Sequence, residues 1–235
     1  MLEWYRAYAG AEEIMQDTEA LFATIATQLG GRPSVRYCGR DVSVEPPWPR
    51  LRVRELFAEH VGIDLPNADL GAACARLGVR ATSTDTWDDL YFRIWLERIE
   101  PHLPAGRAVF VTRYPASQAA LAVIDEDADG TRWANRFEVY AGGLELGNAF
   151  EELTDPAEQR QRFAKDMELR ANAYGDSFPA TPVDEGFLEA LEEGMPPAAG
   201  IAMGVDRIAM LFADEPEIDY VRWLPSYAPS GDRDS

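Results

Sequence analysis

Two adjacent glycines, Gly142 and Gly143, divide RFEVYA (136–141) from LELGNAFE (144–151). Such a pair accepts the positive φ of a tight hairpin turn, so the segment reads as two short strands folded back on each other. With the glycines as the whole loop, Tyr140 faces Glu145 and Glu138 faces Gly147. Glu138, Tyr140 and Glu145 then share one face, with the two carboxylates diagonal neighbours at roughly 7–8 Å. Glutamate is depleted from strand interiors, and two on one face repel unless positive charge lies between them. A hard divalent cation such as Mg²⁺, carrying phosphate oxygens, suits that reach. A solvated outer sheet face would need no ion. Strict alternation turns Asn148 away from Glu145. It rejoins the face only if the strand bulges near Gly147, since glycine often marks a bulge.

The rest of the chain mixes strand and helix signals. MLEWYR (1–6) alternates, with Leu2 and Trp4 on one face and Glu3 and Tyr5 on the other, which by pattern alone is a partly exposed edge strand. Residues 11–30 form an amphipathic helix with Ile14, Leu21, Ile25 and Leu29 in a stripe, ended by Gly30-Gly31. Strand-like pieces at 35–44 precede a proline-rich break, and helices follow at 51–60, 68–77 and 86–100. The last carries Trp87, Leu90, Ile94 and Trp95 on its apolar face and a Thr86/Asp89 capping box. Apolar runs at 108–112 and 119–124 read as strands around the turn YPASQ (114–118). DEDADG (125–130) lacks the later glutamate of an EF-hand and reads as a solvated turn. Asp155-Pro156 opens a long helix, and 184–193 is another, ended by Gly194. His60 and His102 stand isolated and read as surface or satisfied histidines.

GIAMGVDR (200–207) closes the pattern. Its small residues, up to Gly204, leave room for a flat ligand against the backbone. Arg207 in the first turn of the following helix opposes the macrodipole and calls for an anion, either a neighbouring carboxylate or a phosphate.

At 235 residues one domain with a full core is expected. The formal net charge is −19 and Lys165 is the only lysine, which disfavours a broad nucleic-acid surface but not a small anion such as ATP. Cys38 and Cys74 lack metal-ligand spacing, and no signal peptide or membrane-length apolar run is evident, so a cytoplasmic protein is expected.

FEVYAGGLELGNAFEELTD (137–155) resembles the last part of the active site in class II lysyl-tRNA synthetases and their short relatives. Among these it is most similar to the ligases that attach β-lysine to a lysine of elongation factor P. MLEWY (1–5), YPASQAALA (114–122) and GMPPAAGIAMGVDRIAML (194–211) match in the same order, over nearly the whole chain. The resemblance implies an α+β fold, the class II antiparallel sheet flanked by helices, spanning 1–226 with a helical insertion at about 50–104 and a disordered tail at 227–235. It implies ATP and Mg²⁺, with Glu138 and Glu145 holding the metal and Gly204 and Arg207 the nucleotide. Arg207, as the catalytic residue, would take the γ-phosphate. Glu3, Tyr5, Asn148, Glu152 and Ala202 would read lysine or β-lysine. Asn148 would meet the α-amino or carboxylate end, and Glu152 and Glu3 with Tyr5 the side-chain ammonium. Ala202 stands where the tRNA synthetases carry glycine and the elongation-factor ligases alanine.

That family's domain begins before the equivalent of Met1. Motif 1, which builds its homodimer, and the first strand of motif 2, with an α-phosphate arginine, are absent from this sequence, which counts against a dimer. A mis-started ligase, a non-catalytic binding paralogue and a chain completed by a partner are the three readings of that absence. The expected function is activation of lysine or β-lysine as an adenylate and transfer to elongation factor P. A lysyl-tRNA synthetase fragment is the alternative, against which the −19 charge, Ala202 and PASQ weigh.

Overall fold

A computed structural model describes residues 1–174 and 182–224, so the tail expected to be disordered lies outside the described residues. The main sheet runs β1 (Leu2–Ala7), β9 (Ala198–Met203), β8 (Leu144–Glu151), β7 (Arg132–Ala141), β5 (Val109–Pro115), β4 (Arg50–Arg52), with β6 (Ile124–Glu126) also on β7. Its strand pairings are antiparallel except β4 with β5. Strands β2 (Ser34–Tyr37) and β3 (Arg40–Ser43) form a separate hairpin. Helices α1 (Ala11–Gly30), α2 (Val53–Val61), α3 (Leu70–Leu77), α4 (Trp87–Ile94), α5 (Pro156–Tyr174), α6 (Glu185–Gly194) and α7 (Val205–Ala213) flank it, giving the expected α+β class.

Alternation along the strands sorts side chains onto two faces, and each face carries its own core. One face places Phe110, Phe137, Val139, Ala149, Ile201 and Met203 against Ile14 and Phe22 of α1 and Leu211 of α7. The other places Val109, Val111 and Tyr140 under α2, α3 and α4, through Val53, Phe57, Tyr91 and Trp95. The segment 50–104 therefore roofs the β4–β5–β7 end of that face. Toward β8, β9 and β1 the same face bears Glu3, Tyr5, Asn148 and Ala202.

Four local expectations need correction. The buried stripe of α1 is Ile14, Thr18, Phe22 and Ala26, with Met15 and Glu19 beside it, whereas Leu29 is 71% exposed. Thr18 fits inside because its hydroxyl donates to the Ile14 carbonyl at 2.8 Å. The helix expected over 86–100 has its capping box, Asp89 N–H to Thr86 Oγ1 at 3.2 Å and Thr86 N–H to Asp89 at 2.8 Å. It widens into a π turn at Trp95–Ile99, then tightens into a 3-10 turn at Glu100–His102, so Tyr91, Ile94, Trp95 and Ile99 are buried and Trp87 is 38% exposed. No continuous strand fills 119–124: Ala120 has φ +48°, and the segment is held by single bonds, Asn135 N–H of β7 to Val123 O, Val123 N–H to Glu151 O of β8 and Leu153 N–H to Leu121 O. His60 and His102 are not isolated, since their rings stack at 5.5 Å.

Candidate active site

The hairpin turns at Gly142 and Gly143 with φ +64° and +83°, and Tyr140 pairs with Glu145 as expected. The next pairs are Val139 with Gly147 and Glu138 with Asn148, so Leu146 is an extra residue on β8. Glu138 therefore faces Asn148, not Gly147. The bulge returns Asn148 to the face of Glu138 and Glu145. Gly147 is needed there, because a Cβ would meet the Ala202 carbonyl oxygen at 2.9 Å.

Register then lines the candidate residues up in rows. Glu3, Ala202, Asn148 and Glu138 run side by side across β1, β9, β8 and β7. Tyr5, Gly200, Phe150 and Arg136 form the adjacent row. The Tyr5 ring lies over Gly200, where any Cβ would stand 2.6 Å from it. Glu152 follows at the end of β8, its N–H donating to the Ala198 carbonyl at 2.9 Å.

At one end of the face sit the two acids and Arg207. Glu138 is only 8% exposed, and both its oxygens are engaged. Arg136 donates to Oε1 at 2.6 Å, while the Tyr114 and Tyr140 hydroxyls donate to Oε2 at 2.6 and 2.8 Å. Burial and the Glu138 charge push both phenols up. Glu145 is also raised, first by burial and then by repulsion from Glu138, with Arg207 only partly offsetting. Arg207 donates to the Glu145 carbonyl at 2.7 Å and stands 3.7 Å from its carboxylate, both side chains about half exposed. The guanidinium set against the macrodipole thus has a neighbouring acid, loosely held. Glu145, Asn148, Phe150, Ala202, Gly204 and Arg207 line a cavity of about 450 Å³.

Glu138 and Glu145 fit a Mg²⁺ ion in a restricted way. The two tyrosines use both lone pairs of Glu138 Oε2, leaving one on Oε1, whereas no hydrogen bond to the Glu145 carboxylate is found among the described residues. No cluster of three or more potential ligands is present among them either. An ion here would need oxygens from a nucleotide and water, the usual habit of Mg²⁺.

At the other end the chemistry asks for an organic cation. The Glu152 carboxyl is pushed up to about 7 by burial alone, and no donor reaches it among the described residues. Tyr5 is raised by burial, then by the charges of Glu152 and Glu3, so these three groups face a common space. A partly desolvated carboxylate beside a phenol and a second acid suits an ammonium.

A larger cavity, about 690 Å³, lies between residues 116–120 and α5, with Ser117, Arg162 and Lys165 in its wall. It holds none of the candidate residues, and its charges are mixed. The smaller cavity is the better site, because Glu145, Asn148 and Arg207 converge on it. Asp127 and Asp129 of the 125–130 turn are held by Arg113 and Arg54 at 2.6 Å each, so arginines answer those acids. Arg136 is a site residue absent from the sequence expectations, although the alternation Arg136-Phe137-Glu138 puts it beside Glu138. Tyr114 is another, turned toward that acid by the bulge between Thr112 and Tyr114.

Residues 1–228 match the tRNA synthetases class II (D, K and N). The lysine–tRNA ligase of Anaeromyxobacter sp. (strain K) is 39% identical over 242 residues, covering 95% of this chain and 46% of that protein. The lysine–tRNA ligase of Chloroflexus aurantiacus is 35% identical over 229 residues, covering 96% and 45%. That of Pelotomaculum thermopropionicum is 34% identical over 235 residues, covering 97% and 45%. The chain thus spans slightly less than half the length of these relatives. On the family match and these identities, the chain belongs to the class II tRNA synthetases of the D, K and N group, a ligase lineage.

Proposed function

We propose that the chain activates lysine, joining its carboxylate to the α-phosphate of ATP. The observation that carries this reading is the partly buried, unpartnered Glu152 beside Tyr5 and Glu3, a site for a side-chain ammonium at the far end of the row from the anion-facing Arg207. Lysine would lie along the face with its ammonium at Glu152 and its carboxylate near Asn148. ATP would occupy the cavity beside Gly204, with Arg207 leaving Glu145 to meet a phosphate. Mg²⁺ on Glu145 and the free lone pair of Glu138 would neutralise phosphate charge. The carboxylate oxygen attacks the α-phosphorus, pyrophosphate leaves, and an acyl-adenylate remains for an amine or hydroxyl to attack.

The relatives' names favour tRNA as acceptor. Elongation factor P is the second reading. It rests on Ala202, whose methyl lies between Glu3 and Asn148 on the pocket floor and would favour the displaced amino group of β-lysine. ATP–pyrophosphate exchange with lysine and with β-lysine tests activation, and exchange with lysine is the expected result. No exchange with either amino acid, in a folded chain, sinks the reading. Charging of lysine tRNA against labelling of elongation factor P then decides the acceptor.

A further inference from the structure

Arg136 stands at the junction of the two ends of the face. Its Nε–H donates to Asn148 Oδ1 at 3.0 Å, Nη2 to Glu138 Oε1 at 2.6 Å and Nη1 to the Gln118 carbonyl at 3.2 Å. The guanidinium carbon lies 4.5 Å from the centre of the Tyr114 ring and 5.9 Å from that of Phe150. Three acceptors in three directions, with an aromatic ring against the plane, leave this fork one orientation.

The chemistry of that contact determines what Asn148 can do. Guanidinium has donors and no acceptor, so the amide atom facing Arg136 has to be the oxygen, and the amide cannot flip. The Asn148 NH₂ donates to no protein acceptor among the described residues, and Asn148 lines the 450 Å³ cavity. It therefore offers the cavity donors only.

We propose that Arg136 is a positioning residue that locks Asn148 as a donor to the ligand's carboxylate, so that Asn148 does not read its amino group. The proposal rests on the lysine-activation reading and adds the residue that fixes the orientation of Asn148. By holding Glu138 with the same fork, Arg136 also sets the spacing between the acid and the amide. Lysine at 136 could not bridge both partners, because an ammonium lacks the planar fork.

Titration of the full chain with L-lysine and with 1,5-diaminopentane, the same molecule without its carboxylate, tests this. The parent should prefer lysine. Arg136→Lys and Asn148→Asp should each cut lysine affinity about tenfold or more, the scale of a charge-assisted hydrogen bond, while diamine affinity stays within about twofold. Asn148→Asp keeps an oxygen for Arg136 and turns a second toward the carboxylate, so it reports even if Arg136→Lys folds poorly. Equal loss for both ligands would mean that Arg136 merely supports the fold, and unchanged lysine affinity in Asn148→Asp would equally overturn the proposal. A parent that binds neither ligand would sink the lysine reading itself, a separate outcome.

Discussion

At the scale of single residues, Glu152 carries the clearest consequence. Its carboxyl is raised to about 7 in the folded chain, from 4.5, by burial. Below pH 7 the group is increasingly neutral and cannot pair with an ammonium, so lysine affinity should rise from pH 5.5 to pH 8 and then level. Glu152→Gln should bind lysine weakly and without that slope, which titrations at several pH values would show. Stability runs the other way. A carboxyl raised on folding holds more protons in the native state, so its contribution is complete below pH 4.5 and is lost as pH rises through about 7. Glu152→Gln should thus be more stable than the parent at pH 8, by about 1 kcal/mol once solvent screening of a partly exposed carboxylate is allowed for. Equal melting temperatures at pH 8 would contradict the strain assigned to this group. The acid itself was legible from its motif. Its unpartnered state was not, because that depends on which side chains the fold brings near.

At the scale of elements, period-two alternation placed Glu138, Tyr140 and Glu145 correctly but not the register beyond them. The extra residue, Leu146, is buried and looks like any apolar strand residue, so only Gly147 hinted at the bulge. The same limit applies to α4. Its capping box was readable, since it is local, whereas the π turn at Trp95–Ile99 answers to tertiary packing, with Trp95 against Phe57 and Tyr114. Gly147→Ala tests the bulge. Its methyl would press the Ala202 carbonyl oxygen and the Met203 side chain at 2.9 Å, so β8 and β9 must part where Asn148 and Ala202 sit. The expected cost is about 1–3 kcal/mol in denaturant unfolding, with a loss of lysine binding beyond what the unfolded fraction explains. A variant of parental stability would mean that the two strands are not in such close contact.

At the scale of the whole molecule, 41 acids against 22 lysines and arginines leave a net charge of −19, and the arrangement of the basic side chains matters more than the total. Arg50, Arg54, Arg113, Arg136 and Arg162 are each held by one or more acids of the chain. Each has other work than meeting a phosphate backbone. Binding to a polyanion releases counterions in proportion to the phosphates neutralised, so a chain with nearly twice as many acids as bases should show a shallow dependence on salt. The chain by itself should therefore bind lysine tRNA weakly, with a slope of log affinity on log salt no steeper than about −2, as for two or so neutralised phosphates. Lysine-dependent pyrophosphate exchange, confined to a cavity of about 450 Å³ with its own arginine, should change little over the same salt range. Filter binding and exchange measured side by side from 50 to about 300 mM KCl separate the two. A steep slope for tRNA would show a basic surface that the paired arginines do not provide and would move the acceptor question decisively toward tRNA. A shallow slope with salt-resistant exchange would leave activation as the property of this chain, and acceptor choice as a matter for surfaces beyond the pocket.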